Sequence, residues 1–230
     1  MRIGIISAMA VEQTALLEHF NVKGNTKRVH GMDIVRFEVF KHTVFCVLSG
    51  IGKVNAALSA AMLLQTYQCD VILNSGVAGG IKQPIGTIVL SSEVAYHDVD
   101  VTNFGNYQLG QLPNMPLKFR ADTALLDASK TIASSLGLMY KSGLIASGDQ
   151  FVTRLQSIQD FLNKHADLEA IDMEAAAIAH AAYNAKVPFL VIRSISDSIV
   201  SDNQQEDYET FFKESAHKAA KLMGHLVASL

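Results

Sequence analysis

Short runs of β-branched residues alternate with segments of helical periodicity, and this alternation limits the folds that the chain can adopt. The run RIGIIS at 2–7 precedes a helical pattern at 10–20, and TVFCVLSG precedes another at 53–67. The last run, VPFLVIRSISD, precedes a helical pattern at 206–229. Strands that alternate with helices favour a mostly parallel or mixed sheet with helices on both faces. We therefore expect an α/β fold of three layers, with a central mixed β-sheet flanked by helices.

The rest of the chain continues this pattern, apart from one long irregular stretch. Further strands are expected at DIVRFEVF, DVILNSGVAGG, GTIVLSSEV, MYKSGLIASGDQF and DLEAIDME, and helices at 121–135, at 154–164 and after Glu174. The stretch 97–120 carries Pro113 and Pro116 and is expected to be a loop, which at this length usually has a function. Neither a composition shift nor a repeat marks a boundary, so residues 1–230 are expected to form a single domain.

The composition indicates a soluble protein with an extensive apolar interior. Of the 230 residues, 49% are hydrophobic and 18% are charged, and the mean hydropathy is +0.21. This excess of apolar residues suits a buried sheet or a subunit interface. The net charge of −3 and the pI near 6.2 give no basic surface, which argues against nucleic acid and anionic membranes as partners.

The sequence also predicts a cytoplasmic location. The longest apolar runs are interrupted before they could span a bilayer, and the N-terminal MRIGIISAMAVEQ lacks the features of a signal peptide. Cys46 and Cys69 lie in apolar segments, which is typical of reduced core residues, and their spacing does not suit a zinc site.

Small, polar or acidic residues follow six of the predicted strands. These strand ends read SAMAVE, SGIGK, NSGVAGG, SGDQF, IDME and RSISD. Open α/β sheets bind ligands in the crevice beyond the carboxyl ends of their strands. The six ends together therefore predict one shared pocket for a small molecule.

Each polar segment also has a purely structural explanation. Asp172 and Glu174 open an alanine-rich helix, where carboxylates can cap the helix and favour its dipole, and Glu12 opens another helix in the same way. Arg193 and Asp197 flank SIS and could form an ion pair. These residues taken singly leave capping and function both open.

Two motif readings can be set aside from the sequence. SGIGKV lacks the four-residue gap of a P-loop. His97, Asp98 and Asp100 in HDVD could be metal ligands, but no second cluster completes a coordination shell. We favour a hydrogen-bonded turn there and expect no metal.

The motifs taken together resemble one enzyme family. The segments GIISAMAVE, SGIGKVNAA, YHDVDVTNFG with GQLP, GLIASGDQF, IDMEAAAIA and VPFLVIRSISD occur in that order along essentially the whole chain. They resemble the motifs of the 5′-methylthioadenosine/S-adenosylhomocysteine nucleosidases of the purine nucleoside phosphorylase-like family, and SGIGKVNAA matches outright. The resemblance implies the fold of that family, a homodimer and a reaction that needs no cofactor.

This resemblance implies hydrolysis of the N-glycosidic bond of 5′-methylthioadenosine and S-adenosylhomocysteine, with 5′-deoxyadenosine as a further candidate. Adenine leaves readily only when its N7 is protonated, and by resemblance Asp197 is the acid, with a pKa raised by burial. Glu12 activates the attacking water, Arg193 holds the water network and Ser196 orients Asp197. The transition state resembles an oxocarbenium ion, as in glycosidases.

The resemblance also implies how the adenine nucleoside is held. Glu174 accepts hydrogen bonds from the ribose hydroxyls, Met173 packs under the sugar, and Asp172 supports the water network. The Phe151 ring stacks on the base, and backbone groups of Phe151 and Val152 read its edge. The slot for the 5′-thio group draws on Met9, Ile51 and Tyr208 of one subunit, and on Val101, Phe104 and Pro113 of the partner subunit.

Three positions depart from the family pattern. The turn that usually reads G-S-A-G-G is GVAGG here, so that Val77 lacks a hydroxyl expected beside the catalytic water or the purine. Asp172 is one methylene shorter than the usual Glu, and FGNYQLGQLP is one residue longer than the family's turn. The two pocket changes lie on the water side, so we expect that turnover could be slowed.

Three other functions compete with this interpretation. A purine nucleoside phosphorylase needs fixed cations around phosphate, whereas SAMAVE offers Glu12 and no Arg. A nucleosidase for another adenine nucleoside, such as aminofutalosine, differs in the shape of the 5′ slot. A non-catalytic adenine-nucleoside binding protein is the third alternative, suggested by Val77 and Asp172.

Overall fold

The computed structural model describes residues 1–22, 26–201 and 203–230, which form strands and helices in alternation. The strands are β1 Arg2–Ser7, β2 Thr26–Val29, β3 Met32–Val39, β4 His42–Leu48, β5 Val71–Gly80, β6 Ile88–Tyr96, β7 Phe119–Arg120, β8 Tyr140–Ser147, β9 Leu168–Asp172 and β10 Phe189–Ser198. The helices are α1 Ala10–His19, α2 Lys53–Gln65, α3 Thr123–Ser135, α4 Gln159–Lys164, α5 Ala175–Ala185 and α6 Gln204–Ser229.

The described strands belong to one mixed sheet. Its order is β10-β6-β8-β9-β5-β1-β4-β3-β2, and β7 pairs with β6. The apolar strand β1 lies parallel between β4 and β5, and β10 is also parallel to β5. Because β5 pairs with both β9 and β10, the strands β5, β9, β8, β6 and β10 close into a ring. The ends of β1, β5, β9 and β10 are thereby brought close to one another.

Helices cover both faces of the sheet. The alanine-rich α5 packs against α2 on one face, where Ala56, Ala60 and Ile178 belong to one buried cluster. Small side chains allow these two helices to approach closely. On the other face α1, α3 and α6 pack together, and Leu16 and Leu222 lie in a second buried cluster. The predicted fold class, a three-layer α/β fold with a central mixed sheet, is confirmed.

Two short strands differ from the sequence expectation. The residues of β2, with the sequence TKRV, are mostly exposed at the edge of the sheet, so the run has no apolar face to reveal it. The stretch 97–120 was expected to be loop throughout, but this is wrong at its end. Phe119 and Arg120 form β7, which pairs with Val94 and Glu93. A pairing of two residues is too short to leave a pattern in the sequence.

The buried cysteines and the helices agree with the expected interior. Cys46 and Cys69 are free thiols in different apolar clusters. Burial raises the pKa of both thiols to about 12, so neither is a ready nucleophile. Among the described residues there is no helix that is both long and apolar enough to cross a membrane.

Candidate active site

An open cleft of about 590 Å³ lies where β1, β5, β9 and β10 end. Much of its wall is apolar, with Ile51, Ile171 and Ile199 among the lining residues. Carboxyl groups also reach the cleft from separate elements, which is unusual for an apolar pocket because burial of a carboxylate is costly. Their hydrogen bonds show how the fold holds them.

Glu12 is fixed by backbone donors on both of its carboxyl oxygens. Its Oε2 accepts from the N–H groups of Ala8 and Met9 at 2.9 and 3.0 Å, and Oε1 accepts from the Val77 N–H at 2.9 Å. Burial raises the pKa of Glu12, while the charge of Arg193 and the three backbone donors oppose that rise. Glu12 therefore has one orientation and a carboxyl that binds a proton more readily than an exposed one, as a base needs.

The close approach of Glu12 to β5 requires a glycine. A Cβ atom built on Gly76 would lie 2.5 Å from Oε1 of Glu12 and 3.2 Å from Nη1 of Arg193. Any side chain at position 76 would displace the carboxylate. Gly76 of the NSGVAGG strand end thus allows close packing against a functional side chain.

Asp197 lies at the end of β10 and accepts a hydrogen bond on each carboxyl oxygen. The Ser196 hydroxyl donates to Oδ1 at 2.6 Å, and the Gln204 amide donates to Oδ2 at 2.7 Å. Asp197 is buried, and burial raises its pKa, whereas these two hydrogen bonds lower it. A carboxyl with a raised pKa at the wall of a cleft is suited to donate a proton.

Glu174 connects the start of α5 to the SGIGK strand end. Its Oε1 accepts from the Gly52 N–H at 2.8 Å. Gly52 has a φ of 98°, a conformation that favours glycine. Burial raises the pKa of Glu174, and the neighbouring charge of Asp172 adds to that rise. The second oxygen of Glu174 remains available for a donor in the cleft.

Asp172, one of the two acids at the start of α5, is paired with Arg193. The guanidinium donates to Oδ2 of Asp172 from both Nε, at 3.0 Å, and Nη2, at 2.6 Å. Nη2 also donates to the Asn74 side chain, and Ser147 donates to Asp172. Asp172 further accepts from the Ala175 N–H and so caps α5. Its role in the structure is therefore capping and ion pairing.

This arrangement corrects one expectation. The suggested ion pair between Arg193 and Asp197 does not form, because the guanidinium faces Asp172 at the end of β9 instead. Arg193 is buried, and its charge opposes the rise in the pKa of Glu12. Its expected place at the water network stays a prediction.

Aromatic and sulfur-containing side chains form the outer part of the cleft. The Tyr208 hydroxyl donates to the Met9 sulfur at 3.2 Å, and the Phe151 and Tyr208 rings meet edge to face with centroids 5.7 Å apart. Phe151 is 54% exposed, so its ring forms the mouth of the cleft. A flat apolar group could therefore be covered by Phe151.

The cleft brings together most of the residues that the sequence predicted for the site. It is lined by Met9, Glu12, Ile51, Val77, Phe151, Val152, Asp172, Met173, Glu174, Ser196, Asp197 and Tyr208. The three residues expected from the partner subunit, Val101, Phe104 and Pro113, do not line the cleft of their own chain. Phe104 is 73% exposed on the long loop.

Sequence reasoning missed several cleft residues, of which Gln204 is the most informative. Gln204 is buried and contacts Asp197, but it stands in a polar segment where nothing distinguishes it from the exposed Gln205. Ala8, Ala78 and Gly79 were missed as well, although they lie within the quoted strand ends.

The HDVD segment forms a hydrogen-bonded turn. Asp98 accepts from Lys53 Nζ at 2.6 Å and from the Asp149 N–H at 2.9 Å, while Asp100 accepts from the backbone and hydroxyl of Thr102. No group of three or more His, Cys, Asp or Glu side chains suited to a metal occurs in residues 1–22, 26–201 and 203–230.

Known proteins share both this fold and much of this sequence. The model of the phosphorylase superfamily matches residues 2–230. A 5′-methylthioadenosine/S-adenosylhomocysteine nucleosidase from Neisseria meningitidis, in complex with methylthio-immucillin-A, is 34% identical with a TM-score of 0.94 over 100% of this chain and 99% of that one. The nucleosidase from Colwellia psychrerythraea 34H, in complex with adenine, is 36% identical with a TM-score of 0.93 over 100% and 96%.

A protein with a different substrate in its name is also similar. Futalosine hydrolase of Helicobacter pylori is 29% identical, with a TM-score of 0.94 over 100% of this chain and 98% of that one. The resemblance to nucleosidases that was expected from the sequence motifs is confirmed. The chain belongs to the phosphorylase superfamily.

Proposed function

We propose that this protein hydrolyses the N-glycosidic bond of 5′-methylthioadenosine and S-adenosylhomocysteine, and releases adenine. The observation that carries the proposal is the meeting of Glu12 and Asp197 in one cleft, each held by its own donors and each with a pKa raised by burial. An acid for the leaving group and a base for water are the two groups that such a hydrolysis needs.

Asp197 is the proposed acid. Protonated Asp197 gives its proton to N7 of adenine as the glycosidic bond breaks, and the bonding electrons remain on the purine. Ser196 holds one carboxyl oxygen at 2.6 Å and so fixes the direction of the other. Positioning of this kind is worth several orders of magnitude in rate.

Glu12 is the proposed base for water. Water attacks the anomeric carbon, loses a proton to Glu12 and becomes the hydroxyl of the released sugar. Three backbone N–H groups fix the carboxylate, and the buried charge of Arg193 helps to keep it ionised before the reaction. The same negative group would repel phosphate, which supports hydrolysis over phosphorolysis.

The remaining cleft residues have proposed roles in holding the nucleoside. Glu174 accepts from the ribose hydroxyls with the oxygen that does not bond Gly52. Phe151 covers the base, the backbone of Val152 reads its edge, and Met173 packs under the sugar. Met9, Ile51 and Tyr208 form an apolar slot for the 5′-thio group.

A homodimer would complete this slot. The open mouth beside Tyr208 and the 73% exposure of Phe104 are both consistent with a loop that serves the neighbouring cleft. We infer that Val101, Phe104 and Pro113 reach the site of the partner subunit.

Futalosine-type nucleosides are the second candidate substrates, because a futalosine hydrolase has the same fold over the whole chain. An assay in phosphate-free buffer should score base release from 5′-methylthioadenosine, S-adenosylhomocysteine, 5′-deoxyadenosine, aminofutalosine and futalosine. We expect the two thio-nucleosides to be cleaved fastest, with free sugar as the product. Faster cleavage of the futalosines would make them the substrates in place of the thio-nucleosides. A requirement for phosphate would make the protein a phosphorylase. Tight nucleoside binding with no base release would indicate a binding protein.

A further inference from the structure

The side-chain amide of Gln204 bonds both Asp197, the proposed acid, and Val152, the proposed contact to the base. Nε2 of Gln204 donates to Oδ2 of Asp197 at 2.7 Å and to the carbonyl oxygen of Val152 at 3.0 Å. The side chain is buried, with 6% of its surface exposed. Its Oε1 is also buried and receives no hydrogen bond from any residue that the structure describes. The amide therefore links the acid to the segment that faces the base.

The amide group of Gln204 resembles the amino edge of adenine in its hydrogen bonding. Both are planar NH₂ groups with two donor hydrogens. An adenine whose 6-amino group binds the Val152 oxygen and whose N7 faces Asp197 needs the two positions that Gln204 occupies. The base and the side chain therefore compete for the same positions.

We propose that Gln204 is a positioning residue that couples base recognition to the proton on Asp197. In the free protein its NH₂ group holds the ionised carboxylate and the Val152 oxygen, and an arriving adenine displaces it from both, with the 6-amino group at the Val152 oxygen and N7 at the carboxyl. The inference rests on the proposed function, since it assigns Asp197 as the acid and Val152 as the contact to the base.

The displacement changes which form of Asp197 is favoured. A donor on a carboxylate oxygen stabilises the ionised form, so Gln204 opposes protonation while it is bound there. Once Gln204 is displaced, the carboxyl faces the acceptor N7 instead of a donor, which favours the protonated form. The proton comes from water in the cleft and passes to N7 of adenine, and no bond of Gln204 is made or broken. The acid thus becomes protonated when a base is there to receive the proton.

The other groups around Asp197 do not provide this coupling. Asp207 on α6 acts through its negative charge, which raises the pKa of Asp197, and Ser196 on β10 only lowers it. Burial raises the pKa of Tyr208 on α6, and the charges of Glu12, Asp197 and Glu174 add to that rise. In the described part of the chain, Gln204 alone bonds both Asp197 and Val152.

The test compares Gln204→Met with a matched control. Methionine keeps a long unbranched side chain and removes the amide, whereas Gln205→Met changes an exposed glutamine that bonds Glu209. The pH dependence of kcat/KM reports the free enzyme and that of kcat reports the complex. For adenine release from 5′-methylthioadenosine, Gln204→Met should move the alkaline limb of kcat/KM upward by about 1–2 pH units, the effect of one hydrogen bond to a charged group. The limb of kcat should stay in place, and Gln205→Met should change neither.

Two results would overturn the coupling. If both limbs move equally, Gln204 still holds Asp197 in the complex, and if neither moves, its amide does not act on the acid. Both outcomes are distinct from failure of the proposed function, in which the unaltered protein releases no adenine.

If the unaltered protein releases no adenine, the effect of Gln204 on Asp197 can still be measured without catalysis. Titration of ¹³C-labelled aspartate carboxyls, with the Asp197 signal assigned from Asp197→Asn, gives its pKa in the free protein directly. Gln204→Met should raise this pKa, as should the isosteric Gln204→Glu, whose ionised carboxylate cannot donate. An unchanged pKa in both variants contradicts the proposal.

Discussion

Asp172 and Arg193 form a buried ion pair, with Oδ2 and Nη2 2.6 Å apart and each side chain only 2% exposed. The pair joins the end of β9 to β10, and through the cap on α5 it also sets the start of that helix. It places a positive charge behind Glu12 without exposing that charge to the cleft. The two acids at the start of α5, Asp172 and Glu174, therefore differ in role. Asp172 holds the scaffold together, whereas Glu174 is the proposed contact to the ribose.

Loss of one partner of this ion pair should destabilise the protein strongly. Asp172→Ala leaves the Arg193 charge buried and uncompensated, so we expect a loss of about 3–5 kcal/mol in the free energy of unfolding. Urea unfolding measures it. The control is Glu38→Ala in the exposed pair with Arg36, where about 1 kcal/mol or less is expected. Equal effects at the two sites would show that burial does not set the strength of the Asp172 interaction.

Removal of the ionisable group at position 197 should stabilise the fold at alkaline pH. The native pKa of Asp197 is raised above its ordinary value, so the native state holds the proton more tightly than the unfolded chain. Stability therefore falls as pH rises from the unfolded pKa near 3.9 through the native pKa. Asp197→Asn lacks this loss. The melting temperature of the variant minus that of the unaltered protein should therefore grow as the pH rises from 4 to 8. A difference that does not vary with pH would contradict the raised pKa.

Restoring the family's hydroxyl should not harm catalysis. The Val77 side chain lines the cleft, while its N–H holds Glu12, and Val77→Ser keeps that backbone donor. We expect kcat to be unchanged or to rise by up to ~10-fold, the worth of about one hydrogen bond. Val77→Ala controls for the lost methyl groups. A large loss with serine but not with alanine would mean that the water side of the cleft is arranged differently.

A methyl group at position 76 should displace the catalytic base. In Gly76→Ala the new Cβ would clash with Oε1 of Glu12, so we expect kcat to fall by about 100-fold, as a misplacement of about 1 Å typically costs. Gly137→Ala is the control, because Gly137 has a φ of 65°, which disfavours other residues, but nothing lies within 4 Å of the added carbon. It should cost stability and leave kcat intact. Normal turnover by Gly76→Ala would argue against Glu12 as the base.

Much of the fold and cleft could be predicted from the sequence because both depend on local patterns. Apolar runs mark the central strands, and the strand-end rule predicts one pocket for Glu12, Glu174 and Asp197. The pairing of Arg193 with Asp172 was not predictable, since it depends on how the closed sheet brings β10 close to the end of β9. Gln204 was missed because helix α6 was expected from 206, and a glutamine in QQED shows nothing of its burial. The edge strand β2 lacked any apolar face.

The most direct test of the account is adenine release from 5′-methylthioadenosine by Asp197→Asn beside the unaltered protein, in phosphate-free buffer at neutral pH. Asparagine keeps the shape of the side chain and its contacts with Ser196 and Gln204 within reach, but it cannot supply the proton. We expect turnover to fall by about 100- to 10,000-fold, while the nucleoside still binds within about tenfold of the original affinity. Turnover close to that of the unaltered protein would contradict the assignment of Asp197 as the acid.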